Sequence, residues 1–385
     1  MTEYLPGLEG VPATKSNISD IDGEKGLLSY RGYAIEELAA HTSFEETALL
    51  LLDGELPTAR NLALFDEQLR NNRRVKYQVR EIMRNLPATG HPMEMLQTAA
   101  ASLGMFYPGN ECLTGSDVCE DLKYVHNMSV KILARMATLV AMWEHIRNGY
   151  DPIPPRIDLT YAENFLHMFH GRDPDPVLAD ILDTCLVLHA EHTINASTFA
   201  ALVAGSTLAS PYGVVASAIG TLSGPLHGGA NERVVEMLKE IGGPSEVKPW
   251  LDAKLASKTK IWGMGHREYK VKDPRATILQ RLVEKLAKHK GGKISPMFET
   301  ALALEEAAEE RLAAKGVYAN VDFYSGILYA EMGIPTDQFT PIFAIARTAG
   351  WLAHWREQLA DNRIFRPTQV YVGEPPRKYV PINER

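Results

Sequence analysis

The sequence is poor in cysteine and in basic charge, and each shortage excludes a class of protein. Its 385 residues contain three cysteines, Cys112, Cys119 and Cys185, and no Cys-x-x-Cys pair. A disulfide framework is therefore not expected, whereas a reducing compartment is. The formal net charge of −8 provides no basic excess for binding along a phosphate backbone, so nucleic acid is not an expected partner.

Long apolar runs and targeting segments are also missing. No residue from His192 to Asn231 carries a fixed charge, but Asn195, Ser206 and Pro211 interrupt this stretch. It falls short of the roughly 20 consecutive apolar residues of a membrane-spanning helix, so we expect no membrane association. The first residues show no basic segment followed by an apolar run, which predicts a cytoplasmic protein without a secretory signal.

Helical periodicity and helix-ending residues run through most of the chain. Ser43 and Glu46 have the spacing of a capping box, which predicts a helix that ends at Gly54. A second, longer helix is predicted from Pro176 to about Ser210. Extended chain is expected only in the first 30 or so residues and after Phe365. This pattern predicts an all-α fold, and 385 residues suit roughly two domains, although no linker separates them.

The first candidate for chemistry is His227, in the segment SGPLHGGANE. The surrounding glycines allow a ligand to approach the backbone closely. A helix is predicted to begin at about Gly228, and its positive end favours a neutral imidazole that can donate a hydrogen bond. The alternative is a histidine with a purely structural place in a tight interhelical turn.

Two further segments each present one ionisable side chain. His266 ends the flexible segment WGMGH, and the basic residues after it suit a polyanionic partner. The Gly-x-Gly alone is weak evidence, and without a further Gly-x-x-Gly or a preceding strand it does not predict a dinucleotide fold. Asp322 lies between Val321 and Phe323, where burial would make it a stronger base. Its alternative role is to cap the following helix.

The segment HAEHTIN spaces His189, His192 and Asn195 three residues apart. This spacing places them on one face of a helix, as expected of a polar, ligand-facing site. The alternatives are a metal site and two hydrogen-bonded core histidines. We expect no metal, because no third ligand is evident and zinc-binding helices usually carry the spacing His-Glu-x-x-His.

Two arginines stand in apolar surroundings, Arg347 in AIARTAGW and Arg366 in FRPTQVY. An unpaired guanidinium is costly there. Carboxylates of a ligand are the natural partners, because the planar guanidinium holds them with two hydrogen bonds. The alternative is a salt bridge to one of the protein's own acids.

In their order along the chain, HAEHTINAST, SGPLHGGANE, GMGHREYKVKDPRA, NVDFYSG, AIARTAGW and RPTQVY resemble the citrate synthase family. The resemblance covers essentially the whole chain. It implies an all-α, two-domain fold with a large, dimer-forming domain (1–221 and 329–385) and a smaller, mobile domain (222–328). Closure of the small domain would assemble the site and exclude water.

The resemblance also implies the reaction, a condensation of acetyl-CoA with oxaloacetate followed by hydrolysis of citryl-CoA. His227 would hydrogen-bond the enol of acetyl-CoA, His266 would polarise oxaloacetate, and Asp322 would remove the proton. No cofactor beyond the substrates is expected.

The substrate-binding residues follow from the same resemblance. Those expected to bind or support oxaloacetate are His192, Arg275, Arg347, His189, Asn195 and Arg366, the last supplied by the partner subunit of a homodimer or larger homo-oligomer. Those expected along CoA are Ile261, Trp262, Gly263, Met264 and Gly265, with Lys260, Arg267 and Lys315 near its phosphates.

Three other functions remain open at the level of the sequence. The nearest is 2-methylcitrate synthase, which uses propionyl-CoA on the same scaffold. The pockets would differ by about one methylene group, worth only about 1–3 kcal/mol. A helical metalloprotein built on His189 and His192 belongs to a different class. A non-catalytic helical scaffold is the third, but it would not require His227, His266 and Asp322 together.

Overall fold

The computed structural model describes residues 4–107 and 113–385, and within them helices dominate. The described residues form sixteen α-helices and one small sheet, which confirms the predicted all-α fold. The sheet has three antiparallel strands in the order β1 (Ser19–Asp22), β2 (Leu27–Tyr30) and β3 (Tyr33–Ala34). Cys119 and Cys185 are free thiols, whereas Cys112 lies outside the described residues.

The helices follow one another along the chain. They are α1 (Ile35–His41), α2 (Phe44–Asp53), α3 (Ala59–Asn72), α4 (Tyr77–Arg84), α5 (Pro92–Phe106), α6 (Val118–Arg147), α7 (Tyr161–His170), α8 (Pro176–His189), α9 (Ala196–Ser206), α10 (Pro211–Leu222), α11 (Ala230–Ile241), α12 (Val247–Ala256), α13 (Pro274–His289), α14 (Pro296–Leu312), α15 (Val321–Glu331) and α16 (Phe339–Leu359).

Helix α2 begins and ends where the sequence predicts. The Ser43 hydroxyl accepts a hydrogen bond from the backbone N–H of Glu46, and Gly54 ends the helix with a φ of 96°. A hydroxyl at this position satisfies one of the N–H groups that a helix leaves free at its start. A positive φ costs glycine nothing, which explains the stop.

Helix α16 is the central element of the core, and it carries Arg347. Every residue from Phe339 to Trp355 is buried. Helix α9 packs against it so closely that a Cβ on Gly205 would lie 2.1 Å from the Trp355 ring. A long helix buried on all sides is held in one position by its neighbours, so it is a rigid support for the residues it carries.

The single helix predicted from Pro176 to about Ser210 is wrong. Helix α8 ends at His189 and α9 begins at Ala196. Thr193 adopts a φ of +50°, which a continuous helix does not allow. Asn195 then caps α9 by accepting a hydrogen bond from Thr198 N at 3.1 Å. Apolar periodicity continues across this break, which is why the pattern alone did not reveal it.

Across residues 4–107 and 113–385, none of the helices combines the length and apolar character that crossing a bilayer requires.

Candidate active site

The break between α8 and α9 gathers three of the predicted residues, but not on one helix face. His189 ends α8, His192 lies in the break, and Asn195 caps α9. The expected helix-face arrangement is therefore wrong. The turn brings Asn195 against His192, and Asn195 Nδ2 donates to His192 O at 3.3 Å.

Glu191 stabilises the break between α8 and α9 through side-chain hydrogen bonds. Its carboxylate lies 2.8 Å from His354 Nε2 and accepts a hydrogen bond from Ser19 Oγ at 2.9 Å. Glu191 and His354 are both buried. Burial raises the pKa of Glu191, but its interactions with His354, Arg347 and Ser19 together outweigh burial, and the pKa is lowered overall. A buried, paired carboxylate fixes the backbone that presents His192.

His189 is fully buried, and its free nitrogen is the acceptor. Its Nδ1 donates to the backbone oxygen of Cys185 at 2.7 Å, so the ring is protonated there and not on Nε2. Among the described residues, Nε2 has no hydrogen-bond partner. Burial lowers the pKa of His189 to about 3, so it is neutral at pH 7.

His266 has its proton placed by the backbone. Its Nδ1 accepts a hydrogen bond from Glu268 N at 3.0 Å, so the proton of the neutral ring lies on Nε2. Burial, followed by the charge of Arg275, lowers the pKa of His266 to about 4. A neutral donor is therefore available at Nε2 at physiological pH.

The ring of His266 belongs to an aromatic cluster with His192 and Tyr269. Its centroid lies 5.1 Å from that of His192 and 4.9 Å from that of Tyr269. His192 Nε2 is 3.2 Å from Tyr269 Oη. Burial, with the charges of Arg275 and His266 next, holds the pKa of His192 well below its usual value. The two histidines predicted to contact oxaloacetate are therefore adjacent.

His227 lies in the turn between α10 and α11, but its ring meets a different helix. Its Nε2 is 2.8 Å from Ser197 Oγ and 3.3 Å from Ser197 N, in the first turn of α9. A backbone N–H can only donate, so the ring proton lies on Nδ1. Burial, followed by the charge of Arg347, lowers the pKa of His227 to about 4. The expected neutral imidazole at a helix N-terminus is present, at α9 instead of α11.

Asp322 does not cap α15, so that alternative is wrong. Asn320 is the capping residue, and its side chain accepts a hydrogen bond from Asp322 N at 3.0 Å. The Oδ1 atom of Asp322 is buried and has no hydrogen-bond partner among the described residues. Burial raises the pKa of Asp322 to about 7, although the charges of Arg275 and Arg347 oppose this. A carboxylate with this pKa is a far better base than an exposed one.

Backbone hydrogen bonds join the loop before His266 to the segment before Asp322. Gly265 N donates to Tyr318 O at 2.7 Å, and Asn320 N donates to Gly263 O at 2.9 Å. The segments therefore run side by side.

Gly263 allows this close approach. It has a φ of +75°, and a Cβ there would lie 2.7 Å from Val234 and 2.9 Å from Phe323. Only glycine accommodates both the conformation and the contact, so this residue positions His266 and Asp322 relative to one another.

Arg347 is a buried cation to which no described carboxylate is paired. Its side chain is 1% exposed, and its Nε donates to His189 O at 2.8 Å while the guanidinium stacks 4.7 Å from the Phe343 ring. Burial lowers its pKa to about 10. Among the described residues no acid forms an ion pair with Arg347, so the alternative of an internal salt bridge is wrong for it. Its two terminal nitrogens are available to a ligand.

Arg275 is held differently. It forms two hydrogen bonds with the buried Asp273, Nε to Oδ1 at 3.0 Å and Nη2 to Oδ2 at 2.7 Å. Asp273 also accepts a hydrogen bond from Val321 N at 3.3 Å, at the start of α15. The pair therefore fixes the guanidinium beside the helix that carries Asp322.

Arg366 lies outside this cluster in the single chain. It is exposed in the extended segment after α16, and its Nη1 donates to the backbone oxygen of Pro367 at 2.8 Å. It forms no ion pair with the described residues, so no internal salt bridge accounts for it. Its predicted place in the site of a partner subunit stays a prediction.

The residues expected along CoA lie on and beside the loop 261–265. Lys260 Nζ stacks 4.2 Å from the Trp262 ring, and its charge acts on Asp322. Ile261, Gly263 and Met264 are buried, whereas Arg267 and Lys315 are exposed.

A third basic residue, Lys270, lies near both Arg267 and Lys315. Lys270 Nζ donates to Arg267 O at 3.2 Å, and Gly316, the neighbour of Lys315, packs against Lys270. The three basic residues thus share one surface.

Sequence reasoning missed four residues that hold the predicted ones in place: Tyr269, Ser197, Asp273 and Asn320. Asp273 and Asn320 were detectable, because each precedes a helix at the position where Asp and Asn act as caps. Nothing local marks Tyr269 or Ser197, since their partners are 77 and 30 residues away.

Comparisons with known proteins indicate the family. A family model described as "Citrate synthase, C-terminal domain" matches residues 7–368. Citrate synthase of Acidithiobacillus ferridurans is 63% identical over 382 residues, 99% of this chain and 98% of that one. Citrate synthase of Synechocystis sp. is 53% identical over 382 residues, 99% of this chain and 94% of that one.

Solved structures give the same result. The citrate synthase of Pyrobaculum aerophilum superposes with a TM-score of 0.89 at 40% identity, covering 98% of this chain and 95% of that one. That of Thermoplasma acidophilum, in a ternary complex with carboxymethyl coenzyme A and oxaloacetate, superposes with a TM-score of 0.92 at 34% identity over 100% of both chains. The chain therefore belongs to the citrate synthase family.

Proposed function

We propose that this chain condenses acetyl-CoA with oxaloacetate to give citrate and CoA, with Asp322 as base and His227 and His266 as neutral hydrogen-bond donors. One observation carries the proposal. The buried Arg347 has no carboxylate partner among the described residues, and its charge acts on His227, His192 and Asp322. A buried cation surrounded by neutral donors and a strong base suits a dicarboxylate substrate.

The first step is removal of a proton from the methyl group of acetyl-CoA. Asp322, with its pKa raised to about 7, takes this proton. His227 donates from Nδ1 to the thioester oxygen and stabilises the enol or enolate as it forms. Ser197 holds the opposite nitrogen of the ring and so keeps the donor directed outward.

The second step forms the carbon–carbon bond. The enol carbon attacks the ketone carbon of oxaloacetate, and the ketone oxygen becomes a hydroxyl. His266 donates to this oxygen from Nε2, because Nδ1 is occupied by the backbone N–H of Glu268. Arg275, Arg347 and His192 would hold the two carboxylates, with His189 and Asn195 supporting them.

The third step is hydrolysis of citryl-CoA, in which water replaces the thiolate and releases citrate and CoA. The product carries three carboxylates, one more than oxaloacetate. An additional cation is therefore needed, and Arg366 of a partner subunit in a homodimer would provide it. Its position in an exposed, extended segment supports this role. The three steps need no cofactor, because the named side chains supply the base and both donors.

CoA would lie along residues 261–265, with its phosphates near Lys260, Arg267 and Lys315. The exposed basic surface that Arg267 and Lys315 share with Lys270 supports this placement. We also propose that residues 222–328 form the mobile domain, closing over oxaloacetate held by the rest of the chain. The free thiols of Cys119 and Cys185 support a reducing compartment, the cytoplasm.

Acetyl-CoA is favoured over propionyl-CoA as the substrate. The full-length relatives at 63%, 53% and 43% identity are all named citrate synthase. The test is release of free thiol from acetyl-CoA with and without oxaloacetate, run beside propionyl-CoA. Oxaloacetate-dependent release that clearly prefers acetyl-CoA supports the proposal. A preference for propionyl-CoA would reassign the substrate, and no release from either would overturn the proposed activity.

A further inference from the structure

A cavity lined by several acidic residues lies apart from the candidate active site. It has a volume of about 520 Å³ and is formed by α3 and the starts of α2, α7 and α8. It shares no residue with the site described above. One arginine, Arg70, and five carboxylates line it: Glu45, Asp66, Glu163, Asp180 and Asp183.

Three of the five carboxylates already have partners. Asp66 pairs with Arg70 at 2.8 Å. Asp180 forms an ion pair with Lys285. Glu163 accepts a hydrogen bond from the backbone N–H of Thr160 at 2.9 Å, which completes the cap of α7. These interactions account for their presence without a ligand.

The other two carboxylates, Glu45 and Asp183, form no ion pair with the described residues. Glu45 is 5% exposed; its Oε1 accepts a hydrogen bond from Tyr161 N at 2.7 Å, and its Oε2 is buried without a partner among the described residues. Asp183 accepts from Phe44 N at 3.1 Å. No described basic side chain forms an ion pair with either acid.

The buried Arg73 pairs with neither acid. It acts on Glu45 electrostatically, but its Nη1 donates to the backbone oxygens of Arg156 and Leu159 at 2.6 and 2.8 Å, and its Nε and Nη2 are buried without a partner among the described residues. Burial raises the pKa of Asp183 to about 8 and also raises the pKa of Glu45. A cation in the cavity would offset this cost of burying two unpaired carboxylates.

The remaining walls of the cavity are aliphatic. Leu62, Ala63 and Ala179 contribute apolar surface beside the acids. A methylene chain that ends in an ammonium group matches this combination, because the stem packs on apolar surface while the charged end reaches the carboxylates. A metal ion matches it less well, since no group of three or more acids, histidines or cysteines among the described residues is arranged to hold one.

We propose that this cavity binds a small aliphatic diamine or polyamine, with one ammonium group on Glu45 and Asp183. The proposal is independent of the catalytic function, because the residues involved do not overlap. Its volume lies within the range of about 300–1,000 Å³ that small-molecule sites occupy.

The test is calorimetric titration of 1,4-diaminobutane into the full chain at pH 8.5, because burial raises the pKa of Asp183 and an alkaline buffer favours its ionised form. We expect one saturable site per chain, weakened at least tenfold by Glu45→Gln and by Asp183→Asn. Both amides keep an oxygen for the backbone N–H groups of Tyr161 and Phe44, so the fold should be retained. Asp252→Asn, which removes a surface carboxylate paired with Arg311, is the matched control and should leave binding unchanged.

A second variant keeps the proposal open to refutation if either amide variant fails to fold. Ala63→Lys places a tethered ammonium at the cavity wall, and we expect it to abolish diamine binding while raising the thermal midpoint. Titration with 1-butanol tests whether the apolar stem binds without an ammonium group. Titration with magnesium chloride tests whether a metal ion binds instead. Saturable binding of magnesium in place of the diamine would overturn the proposal, and so would the absence of a diamine site in the unmodified chain.

Discussion

Tyr269 Oη lies 3.2 Å from His192 Nε2, and this contact joins two segments that the proposed domain division separates. In that division His192, in the break between α8 and α9, falls in the large domain, whereas Tyr269, which follows His266, falls in the small one. The contact therefore orients His192, which we propose binds oxaloacetate, from the proposed domain that also carries His266. It would also make the geometry of the site depend on the proposed domain closure.

Replacing Tyr269 with phenylalanine should weaken oxaloacetate binding more than it slows the reaction. One hydrogen bond contributes about 1 kcal/mol, so we expect the KM for oxaloacetate to rise by about 3- to 10-fold with little change in kcat. Steady-state kinetics at saturating acetyl-CoA measure both. Tyr318→Phe is the control, because its hydroxyl makes no hydrogen bond to the described residues. Equal effects of the two substitutions would contradict the role given to Tyr269.

Asp322→Asn should abolish turnover but leave oxaloacetate binding intact. Asparagine cannot accept the methyl proton, and loss of a general base typically costs about 10²- to 10⁴-fold in rate. Thiol release measures kcat, and calorimetry measures the affinity for oxaloacetate. Turnover near that of the unmodified chain would show that Asp322 is not the base.

Activity should rise with pH through about 7. The raised pKa of Asp322, about 7, means that its basic form is lost as the pH falls, and kcat/KM should drop about tenfold per unit well below that value. His227 and His266, with pKa values lowered to about 4, stay neutral across this range and add no second step. Loss of thioester absorbance, followed from pH 5.5 to 8.5 at constant ionic strength, gives the profile. A flat profile between pH 5.5 and 7 would contradict the assignment.

Gly263→Ala should damage both stability and turnover. The added methyl would lie 2.7 Å from Val234 and 2.9 Å from Phe323 at a φ of +75°, and overpacking of this kind costs about 1–3 kcal/mol. Gly292→Ala is the control that separates backbone strain from steric contact. Gly292 has a φ of +83°, but no atom lies within 4 Å of the position that a Cβ would occupy. We expect a lower thermal midpoint and a lower kcat for Gly263→Ala than for the control. Matching values would mean that the contact does not position the loop.

Mixing two inactive variants tests whether Arg366 acts across a subunit interface. Arg366→Ala and Asp322→Asn should each be nearly inactive alone. In a mixed dimer, the chain that carries Arg366→Ala keeps its own Asp322 and receives Arg366 from its partner, so one intact site returns. We expect thiol release to recover after the two variants are unfolded and refolded together. No recovery, with mixed dimers verified by mass spectrometry, would place Arg366 in the site of its own chain or outside any site.

Much of the fold and the identity of the candidate residues could be predicted from the sequence. Helix ends such as Ser43 and Gly54 are determined locally, because capping depends on a few neighbouring residues. Helical periodicity established the all-α class for the same reason. The motifs around His227, His266 and Asp322 identified the family, since each combines an ionisable side chain with glycines or apolar neighbours in a characteristic order.

The tertiary structure decided how these residues are presented. Only contacts between distant segments end α8 at His189, place His227 against Ser197, and leave Arg347 buried without an acid among the described residues. Protonation depends on the same contacts: the proton of His266 lies on Nε2 because a backbone N–H occupies Nδ1, and the pKa of Asp322 is raised because packing removes water from it. The sequence by itself determined which groups are available for the chemistry, and the packing of remote segments determined their orientation, charge and basicity.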